Sequence, residues 1–322
     1  MTRFGVLIVL AAAGLASSTA RAADDPQRLI GKAVLPKAGC QLVMVDPEVD
    51  RKTKEASLDL LPLFVNGVEG EAYLVASEAT GEQFRVAIEQ VMDVAAAKQY
   101  YDLRIATDAK DGWAYEMRTM CVVDDEDPLE ESVLKRTLAD YDAAVRLGRN
   151  SAALFGDRSS TRYLLGDVDG ALADMTAAMK AEPGDPEYLL MRAAIYADEG
   201  QPKKAVADLN AALKLDSEFA DALNDLAMLL ATSRDDSVRD GPKAVKLSLE
   251  ACELSDWTQF TLIDTLAAAY AEAGDFDNAV AMQEKAIEIS ELTEGDDFEG
   301  MKDRVKLYKS KRPYRYDPPP KK

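Results

Sequence analysis

The chemistry open to this chain is bounded by 58 Asp and Glu residues and by the absence of any histidine. Without imidazole there is no His-based zinc site and no Ser/His or Cys/His nucleophilic pair. Three cysteines, Cys40, Cys121 and Cys252, are odd in number and far apart. Cys121 and Cys252 sit within apolar helical patterns and read as buried small hydrophobes rather than halves of a disulfide. No Gly-x-Ser-x-Gly, phosphate loop or His-Glu-x-x-His occurs, and Gly31-Lys32 lacks the flanking glycine of a phosphate loop. A pair of carboxylates is the machinery of glycoside hydrolysis, but a chain this acidic always offers pairs, so that argument selects nothing. Two insertions, Asp124 to Glu131 and Ser233 to Asp240, lack the Asp-x-Asp-x-Asp-Gly ladder and distant Glu of a helix-loop-helix calcium site. They read as solvated turns. The residues therefore point to no catalytic set, no metal and no cofactor.

The charge is unevenly placed. Arg3, the apolar run Phe4 to Leu15 and the small-x-small site Ala20-Arg21-Ala22 read as a secretory signal peptide over residues 1–22. The run is about a dozen residues, short of the roughly 20 that span a bilayer, and no other stretch is apolar enough to do so. The expected location is periplasmic or extracellular. Of the formal charge of -20, Met301 to Lys322 holds nine Lys/Arg and two Asp, or +7, so the body between Ala22 and Met301 carries -29. Such a body repels nucleic acid and anionic lipid and favours neutral-to-basic protein or peptide partners.

Internal repetition sets the architecture that must position these charges. Leu138-Ala-Asp-Tyr-Asp-Ala-Ala-Val, Leu172-Ala-Asp-Met-Thr-Ala-Ala-Met and Val206-Ala-Asp-Leu-Asn-Ala-Ala-Leu start 34 residues apart, and Gly166 to Gly200 and Ala171 to Ala205 keep the same step. Later copies are Ala244 to Leu254 and Ala279 to Ile289. Each Gly closes a first helix in the left-handed conformation, the alanines let paired helices approach closely, and Pro202 and Pro242 fall near the start of second helices, where the missing N–H is harmless.

This pattern resembles the tetratricopeptide (TPR) family. Tyr196, Gly200, Ala205, Leu209 and Ala212 match its motif in one copy, and Tyr270, Gly274, Ala279 and Ala286 in another. The motif's Pro after the second helix survives as Pro183 but is Ser217 and Glu291 elsewhere. The resemblance implies a mainly α fold, a helical-hairpin solenoid of about five repeats over residues 112–293. A capping helix over 294–310, with Met301, Val305, Leu307 and Tyr308 covering the stack, and a basic Pro-rich tail over 311–322 follow.

A covarying slot runs through the copies. Arg158 and Arg192 lie 13 residues before the signature Ala, and Asp174 and Asp208 lie three after it; Arg118 and Asp140 hold the same slots in the first copy. The last two copies have Leu226 with Leu247 and Leu266 with Met282. The pair switches from ionic to apolar together, which reads as a contact between the two helices of a repeat and makes these charges structural.

Ahead of the repeats, Ala33 to Pro36, Cys40 to Val45, Leu60 to Val65 and Ala72 to Val75 form short β-like runs separated by turns, Asn66-Gly67 among them. Gly31-Lys32-Ala33-Val34, Leu63-Phe64-Val65-Asn66-Gly67 and a strand at Tyr73 resemble the small SH3-like β-barrels of exported bacterial proteins, over residues 28–92. Asp93 caps a linking helix within 93–111. A barrel ahead of TPR units resembles a class of exported bacterial repeat proteins.

In TPR stacks the first helices line a groove for extended peptides or partner helices. Projected onto this chain, the inward positions are Glu116, Tyr163, Glu187, Leu190, Asp198, Asp221, Asn224, Met228, Asp264 and Glu272. The expectation is a non-catalytic scaffold or adaptor with an acidic groove; cell-wall binding through the barrel is the alternative. The basic tail is a candidate occupant of the groove, within one molecule or between two, and so a route to self-association. The signal reading has a direct test: N-terminal sequencing of exported protein should begin at Ala23, and any residue upstream of Ala22 refutes the cleavage site.

Overall fold

The computed structural model describes residues 29, 32–44, 53–55, 61, 63–77, 82–121, 127–292 and 298–316. The signal peptide, residues 124–126 of the first insertion and residues 317–322 of the tail lie outside them. The chain divides into two compact units, one ending at Asp174 and the other running from Met175 to Lys322. Both are built mainly from helical hairpins, and the first also carries an antiparallel sheet.

Strands β1 (Ala33–Pro36), β2 (Gln41–Met44), β3 (Thr53–Glu55), β4 (Leu63–Glu69), β5 (Ala72–Ser77), β6 (Gln83–Ala87) and β7 (Val91–Asp93) pair in the order β3-β2-β6-β5-β4-β1-β7. Asn66-Gly67 is not a hairpin turn. The register shifts between Val65 and Gly67, so the pair forms a bulge inside β4, and the chain reverses at Gly70-Glu71, where Gly70 takes φ 62°. Asp93 caps helix α1 (Val94–Thr107) by accepting from the Ala96 amide at 2.9 Å. Helix α1 is more than a link. Its Tyr101 is fully buried and donates to the Pro36 carbonyl at 2.7 Å, and one core joins the sheet to Ala97, Met117, Tyr141 and Leu154.

The hairpins are α2 (Gly112–Arg118) with α3 (Glu131–Arg146), α4 (Ala152–Leu164) with α5 (Val168–Ala181), α6 (Glu187–Asp198) with α7 (Pro202–Leu215), α8 (Ala220–Thr232) with α9 (Gly241–Leu254), and α10 (Phe260–Glu272) with α11 (Phe276–Leu292). The signature alanines Ala171, Ala205, Ala244 and Ala279 are fully buried. Gly166, Gly200 and Gly274 take φ of 85°, 68° and 85° just beyond α4, α6 and α10. A final helix, α12 (Phe298–Lys309), buries Met301 and Tyr308 completely and packs on α11. The three cysteines are free thiols, all buried, and burial pushes Cys40 and Cys252 up to about 11 and Cys121 up to about 12.

The slots form as bidentate contacts. Arg118 meets Asp140 at 2.8 and 2.6 Å, Arg158 meets Asp174 at 2.9 and 2.5 Å, and Arg192 meets Asp208 at 2.7 Å on both arms. In each, Nε and Nη2 grip the two carboxylate oxygens, the geometry in which guanidinium is strongest. Where the slot is apolar, Leu226 and Leu247 share one hydrophobic cluster and Leu266 and Met282 another. Truncating one partner leaves a desolvated charge, whereas replacing both with apolar groups leaves none. Arg192→Leu should therefore cost about 1–3 kcal/mol, between the exposed and fully buried limits. Adding Asp208→Leu should recover much of it, and strictly additive losses in urea unfolding would rule the coupling out.

Candidate partner groove

The first helices α6, α8 and α10 of the second unit carry most of the projected groove, and the ten positions separate into distinct environments. Glu116, on α2, is 1% exposed and bonded to Arg149, with Ser151 at 3.5 Å. Its partner follows α3, so the carboxylate ties a helix start to the preceding hairpin rather than facing outward. Asp264, on α10, accepts from Arg304 of α12 at 2.9 Å and from Gln283 of α11 at 2.5 Å, which makes it an anchor for the capping helix. Tyr163 is half-buried on α4 of the other unit. Leu190 packs against the hydrophobic cluster of α6 to α10, and half-buried Met228 gives its carbonyl to the Thr232 hydroxyl at 2.8 Å.

Near the N-terminal ends of α6 and α8 an acidic strip is left. Glu187 and Asp221 are exposed at the first turns of the two helices, where partial positive charge favours carboxylates. Glu187 is nonetheless raised above the usual carboxylate range by desolvation and by the charges of Asp185 and Asp221. One turn further along α8, half-buried Asp225 faces a small apolar notch of Ala193, Ala194, Ala197, Leu209 and Leu229. Desolvation pushes it up to about 7, with Asp221 adding to the rise; a 3.2 Å bond from Asn224 opposes it. The projection included Asn224 and Asp221 but missed Asp225. One acid among so many is invisible until the alanine surface of α6 is placed against it.

At the opposite ends of the same helices the arrangement is different. Helices α6 and α10 stop at Gly200 and Gly274, each followed by a residue whose amide reaches back into the last turn: Gln201 to Tyr196 at 2.8 Å and Asp275 to Tyr270 at 2.9 Å. Helix α8 has no such glycine. Ser233 ends it, and its terminal carbonyls are taken by four separate donors. The Asp240 amide bonds Leu230 at 2.9 Å, Arg315 bonds Ala231 at 3.3 Å, the Tyr316 amide bonds Thr232 at 3.0 Å, and Arg239 bonds Ser233 at 2.8 Å. Arg239 also reaches Glu272 at 2.9 Å, and Val238 is buried. The fourth-copy insertion is a turn with Arg234, Asp236, Ser237 and Asp240 exposed, and it also supplies donors for a helix end that lacks a glycine cap. Gly241 fits where no side chain would: a Cβ there would stand 2.6 Å from the Ala273 nitrogen.

Comparisons with known proteins agree with this architecture. Residues 186–219 and residues 261–299 each match the tetratricopeptide repeat family, so the chain contains such repeats. No curated protein sequence matches. Among solved structures, the fold is similar to that of the APC/C hetero-tetramer Cut9-Hcn1, with TM-score 0.50 at 14% identity over 67% of this chain and 39% of that one. Yeast Tom70 gives 0.49 at 18% over 66% and 42%. YrrB, described as a TPR protein with an unusual peptide-binding site, gives 0.44 at 20% over 59% and 91%.

The Asp225 environment makes stability depend on pH with a definite sign. Folded Asp225 keeps its proton to about pH 7, whereas an unfolded Asp releases it near 4. The folded state therefore binds the extra proton between these values, and stability falls as pH rises through this window. Asp225→Asn should unfold at a higher temperature than the parent at pH 8, with the difference closing toward pH 4. Equal differences at both pH values would place Asp225 in water.

Proposed function

We propose that this chain is an exported, non-catalytic interaction scaffold that holds a neutral-to-basic extended segment of another protein along α6 and α8. The observation that carries this reading is the uncompensated acidity of Glu187, Asp221 and Asp225 on adjacent first helices. Neutralised carboxylates have depressed pKa values; those of Glu187 and Asp225 are raised, so the site favours an incoming cation. The positive charge of a Lys or Arg docking beside Asp225 favours the ionised carboxylate against the desolvation that raises it, so association should release protons near neutral pH. The presence of tetratricopeptide repeats supports an interaction role, as does the lack in the sequence of any His-dependent or glycine-loop chemistry. Export rests on the N-terminal pattern of Arg3, the apolar run and Ala20-Arg21-Ala22.

The test is charge reversal in the intact protein. Glu187→Lys with Asp221→Lys should weaken binding to a library of basic peptides at least tenfold. Parent binding should also fall as salt rises, since exposed charges are screened beyond about 10 Å at 0.1 M. Unchanged binding in both measurements would reduce the strip to a solubility feature. Retention of the reversed variant on purified cell wall would instead move the function to the sheet. The intact chain is needed because sheet and helices share one core.

A further inference from the structure

The described part of the tail lies across the ends of three first helices. From α12 the chain runs through Tyr314, over which Arg304 stacks at 5.6 Å, to Arg315 and Tyr316. Arg315 Nη2 meets Glu272, the last residue of α10, at 2.7 Å, and Arg315 Nη1 meets the Ala231 carbonyl at the end of α8. The Tyr316 amide meets the Thr232 carbonyl, and its hydroxyl donates to Asp198, the last residue of α6, at 3.0 Å. Two successive residues therefore engage α10, α8 and α6 in turn through two carboxylates and two helix-terminal carbonyls.

We propose that this ledge is a second peptide-binding seat, specific for an extended segment in which arginine precedes tyrosine, and that the chain's own Arg315-Tyr316 is its resident competitor. The inference rests on the interaction-scaffold reading but not on the Glu187–Asp221 strip. The chemistry of the seat selects the partner. The terminal carbonyls of α8 sit at the negative end of a helix dipole, and a cation is favoured there. Arginine satisfies a carboxylate and a carbonyl at once through its forked donors. The Thr232 carbonyl takes a backbone N–H, so the incoming chain must be extended, with a free amide at the residue after arginine. Asp198, 4% exposed, takes a hydroxyl that reaches into a nearly closed site, which favours Tyr over Phe. A glycine-capped helix such as α6 or α10 uses its own backbone at this position. Only α8 among these three leaves carbonyls for a chain from elsewhere.

Tethering explains why a modest set of contacts keeps the seat filled. A segment joined by a few residues to α12 is present at an effective concentration of order millimolar, so a millimolar intrinsic affinity suffices for substantial occupancy. A partner then binds with its intrinsic affinity multiplied by the fraction of molecules whose tail is released.

The experiment uses the full chain and a fluorescent peptide covering Ser310 to Lys322. Arg315→Ala with Tyr316→Ala frees the seat, and this variant should bind the peptide at least tenfold more tightly than the parent. Adding Asp198→Asn and Glu272→Gln should abolish that gain. Tyr316→Phe, which deletes only the hydroxyl, should give a smaller gain and serves if the double variant fails to fold by circular dichroism. Equal affinity of parent and released variants, or no binding to either, overturns the proposal. So does a parent that sediments as a dimer and a released variant that sediments as a monomer, since the tail would then be exchanged between copies. Basic peptides that still bind the Glu187–Asp221 strip, with no response to tail release, would sink this inference and leave the scaffold reading standing.

Discussion

The register of the hairpins depends on one position, half-buried or buried, where the first helix of a repeat meets the second. In the first three copies that position is an arginine gripping an aspartate with both arms, and in two of them the same arginine reaches a third helix. Arg118 Nη1 bonds Asp102 of α1 at 2.7 Å while holding Asp140 of α3, and Arg158 Nη1 bonds Asp142 of α3 at 3.1 Å while holding Asp174 of α5. A guanidinium has five donors in a fixed fork and can serve three helices only if all three are in place. The contact therefore specifies more than it stabilises. Removing two charges from water offsets much of their attraction, and the apolar Leu226–Leu247 and Leu266–Met282 pairs hold the same joint without that cost. The ionic version adds directionality: it accepts one register of three helices and leaves a stranded charge in any other.

The same logic accounts for α1. It belongs to no repeat, yet its Asp102 occupies toward Arg118 the place that Asp142 occupies toward Arg158. Helix α1 acts as the second helix of a missing preceding copy; its Tyr101 reaches the sheet through the Pro36 carbonyl and meets Trp113 of α2 edge to face. Arg104 stacks on Tyr100 and Trp113 and bonds Asp111 at 2.7 Å, which locks the turn into the first hairpin. The sheet thereby serves the hairpins of its unit as a cap does. It buries an end that would otherwise expose the core.

What was legible in the sequence was whatever recurs. A 34-residue period, the buried alanines, the glycine stops and the covarying slots are all comparisons of the chain with itself, and each reappears in the structure at the expected residue. What was not legible was whatever happens once. Asn66-Gly67 carries the composition of a turn but lies in a bulge, because Gly70, three residues after Gly67, takes the left-handed conformation and leaves the longer strand to β4. Ser233 to Asp240 has the polarity of a loop, and its packing follows from α8 lacking the glycine its neighbours have. Glu116 and Asp264 fall at the right helical phase for a groove. Their partners, Arg149 and Arg304, lie outside the repeat motif, so no periodic argument reaches them.

The two ends of the first helices act as electrically separate surfaces. Glu187 and Asp198 are the first and last residues of α6, a helix of 12 residues, and at 1.5 Å of rise per residue they stand roughly 17 Å apart. Screening reduces interactions between exposed charges beyond about 10 Å at 0.1 M salt. Arg315 at the α10 and α8 ends therefore neutralises Glu272 without discharging Glu187 and Asp221, whose acidity survives in a chain that carries its own basic tail. Each end also meets a cation in a different way. At the N-terminal end the helix dipole opposes a cation, and side-chain carboxylates must supply the attraction. At the C-terminal end dipole and carboxylate act together, and backbone carbonyls add direction. The first surface suits attraction of any basic segment, and the second discriminates among them by arginine geometry and a tyrosine hydroxyl.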